Sequence, residues 1–432
     1  MTYHNAIKYI KNLPKSAKET VKFERIRLIC KHLGDPQKRI KYIRLAGNNG
    51  KTLCGGMLTS VLKKVDITTG YLAMPARDDI RANIVIDTKP ISMDETVRYL
   101  SEVIAAINKI NDERKTCAVS EDGTVLPDYE PFVPTSSEIL LLMALIAFRD
   151  KACKLCLIES DHEGDDPSLF MPSPFATVIC GAIPVGDKKD IARIRSYVTR
   201  GVQEIVSAPQ DQEAYRILSD TCASVNCRLT LALKSAVAVQ KLTLRETEFS
   251  YKSNVYSLNL CGKFQITNAT VVLETLEMLS RRGFDIPSEA IQSGLSSLNI
   301  PSKFEVLSVM PLIIADSTHT PVAINTVCDS MSDFRDITGN KVRLCLPKGE
   351  LIELYVKALT ERGYDVSDVI ALDTNEIEYT SDVQCPVTLC KTVKATVKSA
   401  LCELEKDSIL LVSGRHSFTE KIRYEILQRL GF

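Results

Sequence analysis

A glycine-containing turn caught between two apolar runs constrains this chain more than any other stretch. Arg44-Leu45-Ala46-Gly47-Asn48-Asn49-Gly50-Lys51-Thr52 follows the extended run Ile40 to Leu45 and opens an amphipathic run from Leu53 to Lys64. Strand, glycine loop and helix start are the three parts of a phosphate cradle. Gly47 and Gly50 tolerate backbone angles closed to other residues, so successive N–H groups can turn inward on an anion. Lys51 adds a charge able to reach the β- and γ-phosphates, and Thr52 offers a hydroxyl to Mg²⁺. Gly47, Asn48, Asn49, Gly50, Lys51 and Thr52 are therefore the candidate nucleotide contacts. The long phosphate-loop pattern has a further glycine where Leu45 stands, leaving the short form G-x-x-G-K-T. An ordinary strand-to-helix turn with a solvated lysine is the plain alternative.

A 432-residue chain is too long for one compact core, so two or three domains are expected. The 54 basic residues equal the 54 acidic ones, which removes any electrostatic case for nucleic acid or an anionic membrane as partner. The longest apolar run, Ile139 to Phe148, is too short for a bilayer, and the first residues lack a signal-peptide layout. A cytoplasmic location is the expectation. The 14 cysteines are scattered, as suits reduced and mostly buried thiols. Cys153 and Cys156 have metal or redox spacing but enter a strand, where they are expected to face opposite ways.

Further along, Pro14 divides two helices over 3–33, and Ser92 with Glu95 caps a helix to Asn108. Asn111 to Phe132 reads as an exposed loop. Leu155-Cys156-Leu157-Ile158-Glu159 is a buried strand ending in a carboxylate. In an open α/β sheet that end faces the ligand, and a buried carboxylate needs a partner or a metal, so Glu159 is a candidate Mg²⁺ ligand with Thr52. A domain boundary falls near residue 298, beyond which strand–helix alternation resumes. The expected fold is α/β: an N-terminal phosphate-loop ATPase domain (1–298) with a central, mostly parallel sheet, and a smaller Rossmann-like α/β domain (299–432).

These landmarks resemble the folylpolyglutamate and dihydrofolate synthases of the Mur ligase superfamily. Phe23-Glu24-Arg25-Ile26 and Leu33-Gly34-Asp35-Pro36-Gln37 precede the loop as in that family, whose loop reads A-G-T-N-G-K-G-S. Pro134-Thr135-Ser136-Ser137-Glu138 is similar to P-T-x-F-E, Gly201-Val202 with Val206 to Gln210 to G-V-x-x-V-V-S-A-P-Q, and Ile409 to Arg415 to a late V-L-V-T-G-S turn. Asp316-Ser317-Thr318-His319 stands at the family's D-G-A-H, Lys303 at its P-G-R-x-E arginine, and Gln265 and Asn268 in its G-x-H-Q-x-x-N. Other landmarks differ. Met74-Pro75-Ala76-Arg77 replaces S-P-H-L, Ala82-Asn83 an E-R pair, and Val185-Gly186 a D-H pair. Ile194 falls where the family has a lysine that becomes carbamylated, with His162, Asp187 and Lys188 as available substitutes.

The resemblance implies an ATP- and Mg²⁺-dependent, cytoplasmic, monomeric ligase of one-carbon metabolism, joining L-glutamate to a folate or related carboxylate. Lys51, Glu159 and His319 would be its catalytic residues. Asn268, Lys303 and Asp316 would join the loop on the nucleotide, with Asp316 and His319 reaching it across a domain interface. Thr52, Glu138 and Glu159 would hold the metal. Helix capping accounts equally for Glu138 and for Asn268. A Mur-type ligase for another acid and amino acid, and a nucleotide-binding pseudoenzyme, are the alternatives.

Overall fold

The computed structural model describes residues 1–15, 22–74, 77, 79–117, 131–160, 166–335, 339–373 and 383–431. The chain divides into two compact units: Met1–Leu233 with Asn268–Gly294, and Lys234–Thr267 with Leu295–Phe432.

The first unit is built on an eight-stranded sheet in the order β4-β3-β2-β5-β1-β6-β7-β8. Its strands are β1 (Tyr42–Ala46), β2 (Thr69–Leu72), β3 (Ile84–Ile86), β4 (Lys89–Pro90), β5 (Leu155–Glu159), β6 (Ala176–Ile179), β7 (Glu204–Ser207) and β8 (Arg228–Leu231). Along the order β2-β5-β1-β6-β7-β8 every pairing is parallel, and β3 alone runs against the rest, antiparallel to both β2 and β4. β1, β2 and β5 to β7 are buried on both faces, which is why they read as unbroken apolar runs rather than alternating ones.

Its helices are α1 (Tyr3–Lys11), α2 (Lys22–His32), α3 (Lys51–Lys63), α4 (Met93–Cys117), α5 (Ser136–Asp150), α6 (Lys188–Tyr197), α7 (Gln212–Ser224), and the greater parts of α8 (Phe264–Arg281) and α9 (Ser288–Ser296). Ser92 and Glu95 form the expected reciprocal cap, Ser92 N–H to Glu95 Oε2 at 2.8 Å and Glu95 N–H to Ser92 Oγ at 3.1 Å. The helix they start overruns the expected loop and continues to Cys117, because Ile107 and Ile110 still face the core. The remainder of that loop, 118–130, lies outside the described residues. α5 is buried from Ser137 to Phe148, packed between β2 and helices α1 and α4, which accounts for its apolar character all round.

The second unit holds a six-stranded sheet ordered β12-β13-β17-β14-β15-β16: β12 (Glu305–Val309), β13 (Leu312–Asp316), β14 (Lys341–Pro347), β15 (Asp365–Leu372), β16 (Val387–Cys390) and β17 (Ile409–Ser413). β12 is antiparallel to β13 and the rest are parallel. Helices α10 (Pro321–Ser332), α11 (Leu351–Thr360), α12 (Val393–Leu401) and α13 (His416–Leu430) cover it. The three-stranded antiparallel sheet β9 (Val237–Leu242), β10 (Thr247–Tyr251) and β11 (Asn254–Leu258) also counts with this unit. Leu242, Leu244, Cys261 and Phe264 join the core of Phe304, Leu312 and Phe334, which groups this segment with 295–432 although 27 residues intervene along the chain, Asn268–Gly294.

Candidate nucleotide site

The site of the first unit lies where β1, its two neighbours β5 and β6, and the start of α3 come together. β1 sits between β5 and β6, and chain direction diverges there, the position at which open α/β sheets bind ligands. From the end of β1 the backbone turns through Gly47 (φ 108°) and Gly50 (φ 84°), and Lys51 begins α3. Both glycines are demanded by what surrounds them. A Cβ on Gly50 would stand 2.3 Å from the Cys180 carbonyl oxygen and 2.6 Å from Asn268 Oδ1; on Gly47 it would stand 3.2 Å from the Cys180 amide nitrogen. The loop is thus pressed against the end of β6, where Cys180 N–H donates to Ala46 O at 2.9 Å. Lys51 folds back, its Nζ donating to Gly47 O at 3.1 Å.

Glu159 ends β5 and is buried. Its Oε1 accepts from Thr52 Oγ1 at 3.1 Å and from the Tyr71 hydroxyl, while Oε2 accepts the Met74 N–H at 3.0 Å. Three donors stabilise a charge that would otherwise be costly to bury. Burial first, and then the charge of Glu159, push the Tyr71 phenol well above its ordinary value of 10, so it remains a donor. Sequence reading missed Tyr71, Met74 and Cys180. Strand parity carries the one available signal: Tyr71 pairs with Leu157, two residues before Glu159, so both side chains share the α3 face.

Asn268 lies in the second turn of α8, which starts at Phe264, so the capping alternative fails; its side chain abuts Gly50 instead. Glu138 does cap. With Thr135 it completes a capping box, and Arg25 bridges both its oxygens at 3.0 and 3.1 Å. A metal at Glu138 would have to displace that bridge. Among the described residues no group of three or more His, Cys, Asp or Glu side chains is arranged to hold a metal ion. Cys153 precedes β5 rather than entering it and packs against the same core cluster that holds Cys156, so the expected opposite facing is corrected. Ile194 is fully buried among Ile179, Ile183 and Tyr197. Asp187 caps α6, its Oδ1 accepting Lys189 and Asp190 N–H at 2.8 and 2.9 Å, which holds its carboxyl below the ordinary value. His162 lies outside the described residues, as do Pro75 and Ala76.

In the second unit Asp316 ends β13, buried, with Oδ2 accepting the Phe304 N–H at 2.7 Å. Burial raises its carboxyl above 3.8 against the opposing charge of Lys303 and a hydrogen bond from Thr318. His319 follows in the half-buried turn before α10.

No protein-family model matches the chain. The folylpolyglutamate synthase of Lacticaseibacillus casei is 22% identical over 348 residues, 77% of either chain. A probable bifunctional folylpolyglutamate synthase/dihydropteroate synthase of Halobacterium salinarum is 24% identical over 413 residues; that alignment takes in 88% of this chain and 46% of the relative, so the chain spans about half of that protein's length. Among solved structures, a folylpolyglutamate synthase complex with AMPPCP and folate superposes with a TM-score of 0.77 at 18% identity, covering 99% of this chain and 100% of that one. In sequence this chain is similar to folylpolyglutamate synthases, and its fold is like theirs.

Proposed function

We propose that this chain is an ATP-dependent ligase that joins L-glutamate to a folate or pteroate through an acyl phosphate. The observation that carries the reading is the convergence of the glycine loop, Lys51, Thr52 and Glu159 at the ends of β1 and β5, within a fold like that of a synthase solved with AMPPCP and folate. In such a reaction the substrate carboxylate attacks the γ-phosphorus and releases ADP. The glutamate amine then displaces phosphate from the acyl carbon and loses a proton. Little covalent chemistry is asked of the protein; positioning and charge around the phosphates do most of it.

Lys51, now folded on Gly47 O, would swing to the phosphates, and the loop N–H groups would hold them. For Mg²⁺ the residues fit: the Thr52 hydroxyl and the Glu159 carboxylate are adjacent oxygen donors at the loop's mouth, and the phosphates and water would complete the shell. The ion would offset the charge of the phosphates. The absence of a lysine at Ile194 and of a histidine at Gly186 supports a single well-formed metal site. Lys303, Asp316 and His319 are assigned to the nucleotide by resemblance alone. The chain is read as a cytoplasmic monomer. No helix among the described residues is long and apolar enough to cross a membrane.

Phosphate release with ATP, Mg²⁺, L-glutamate and a panel of folates and pteroates tests the proposal. Release that requires both a pteroate and glutamate is expected. Release only with another acid and amino acid would favour a different Mur-type ligase, and ATP binding without release under any pairing would identify a pseudoenzyme.

A further inference from the structure

The carboxylate at the end of β5 is held by a residue that the loop motif does not contain. We infer that Tyr71 is a positioning residue for the metal site: its hydroxyl fixes the rotamer of Glu159 so that the carboxylate is presented beside Thr52 before any cation arrives. This inference rests on the proposed nucleotide site.

Three observations support it. Tyr71 and Glu159 lie on adjacent parallel strands and on the same face, with Tyr71 paired to Leu157, so the phenol reaches along β5 to the carboxylate. The Tyr71 ring is itself locked. A Cβ on Gly55 of α3 would stand 2.7 and 2.9 Å from two of its ring carbons, so the helix that carries Thr52 rests on the ring that carries the hydroxyl. The opposite oxygen of Glu159 is pinned by the Met74 N–H, two residues past the end of β2. A glutamate side chain has three rotatable bonds, and free it would lose that freedom on binding a cation. Held from both oxygens by β2 and the residues just after it, it has already lost it. Preorganisation of this kind appears as tighter binding of the ligand that uses the group, with no new contact to the ligand.

Tyr71→Phe removes the hydroxyl and keeps the ring that α3 packs on. AMPPCP binding is measured by calorimetry for wild type and variant, each at saturating Mg²⁺ and in EDTA, and Mn²⁺ binding to the AMPPCP complex is followed by electron paramagnetic resonance. The expected result is an unchanged affinity in EDTA and a metal-dependent gain in affinity reduced about tenfold in the variant, with weaker Mn²⁺ binding. Equal metal dependence in the two proteins would overturn the role of Tyr71 and leave the nucleotide site standing. A thermal midpoint lowered in the variant with equal metal dependence would likewise overturn it, since that is what packing alone predicts. Absence of AMPPCP binding by wild type would remove the nucleotide site, and this inference with it.

Discussion

Gly50→Ala tests the packing of the phosphate loop, and Gly283→Ala supplies its control. Both glycines have left-handed backbone angles, φ 84° and 89°. Alanine in that region costs about 1–2 kcal/mol at either position. They differ in surroundings: a Cβ at Gly283 meets nothing within 4 Å, whereas at Gly50 it meets a backbone oxygen at 2.3 Å and Asn268 Oδ1 at 2.6 Å. The backbone oxygen cannot swing away as a flexible side chain does, so the loop or the end of β6 must shift by about an ångström, an overpacking cost of roughly 1–3 kcal/mol more. Gly50→Ala should therefore cost about 2–5 kcal/mol in all. Two units make a single unfolding free energy ill-defined, so the readout is local. Native-state hydrogen exchange of the α3 amides should accelerate about thirtyfold or more in Gly50→Ala, and AMPPCP affinity should fall with it. Gly283→Ala should leave α3 exchange and AMPPCP binding as in wild type. If the two variants behave alike in both assays, the loop is not seated on Cys180 and Asn268 as described.

Lys51→Ala should lose charge-assisted bonds to phosphate worth about 1.5–3 kcal/mol each, seen by calorimetry as at least tenfold weaker AMPPCP binding; equal affinity would exclude Lys51 from the site. Asp316 carries a carboxyl raised above 3.8 by burial, so between that value and its folded one the folded chain holds more protons than the unfolded, and wild-type stability falls as pH rises. Asp316→Asn should consequently gain in thermal midpoint over wild type as pH is raised through that window, and a difference independent of pH would refute the burial argument. Glu138→Ala leaves Arg25 without its partner in a site where the two side chains are 5% and 11% exposed, at a local cost of about 3–5 kcal/mol read as faster native-state hydrogen exchange of the α5 amides. Unchanged α5 exchange would mean that the bridge contributes nothing.

Much of the first unit was legible because local rules and global fold agree there. β5 is Leu155–Glu159 as read from an apolar run stopped by a carboxylate, and the short helix-starting motif predicts the turn through Gly47 and Gly50 because only glycine fits those angles. The cap at Ser92 was legible for the same reason: it is written within four residues. The end of its helix was not, since polar residues on the exposed side of α4 look like loop residues until the core that holds Ile107 and Ile110 is known.

Asn268 marks the limit from the other side. In sequence it stands before an apolar periodic run and invites a cap; in the fold, α8 has already begun at Phe264 and the side chain meets Gly50, 218 positions earlier in the chain. Likewise the sequence by itself determined the residue types of the phosphate loop and the acidic end of β5, because backbone angles and strand periodicity are local properties. Only the tertiary structure decided what those groups touch. Strand order 2-5-1-6 sets Tyr71, Glu159, the loop and Cys180 side by side, and no local pattern encodes which strands become neighbours. The grouping of Lys234–Thr267 with the second unit has the same cause: burial of Leu242 and Phe264 against Phe304 is a long-range free-energy gain, invisible to any window along the chain.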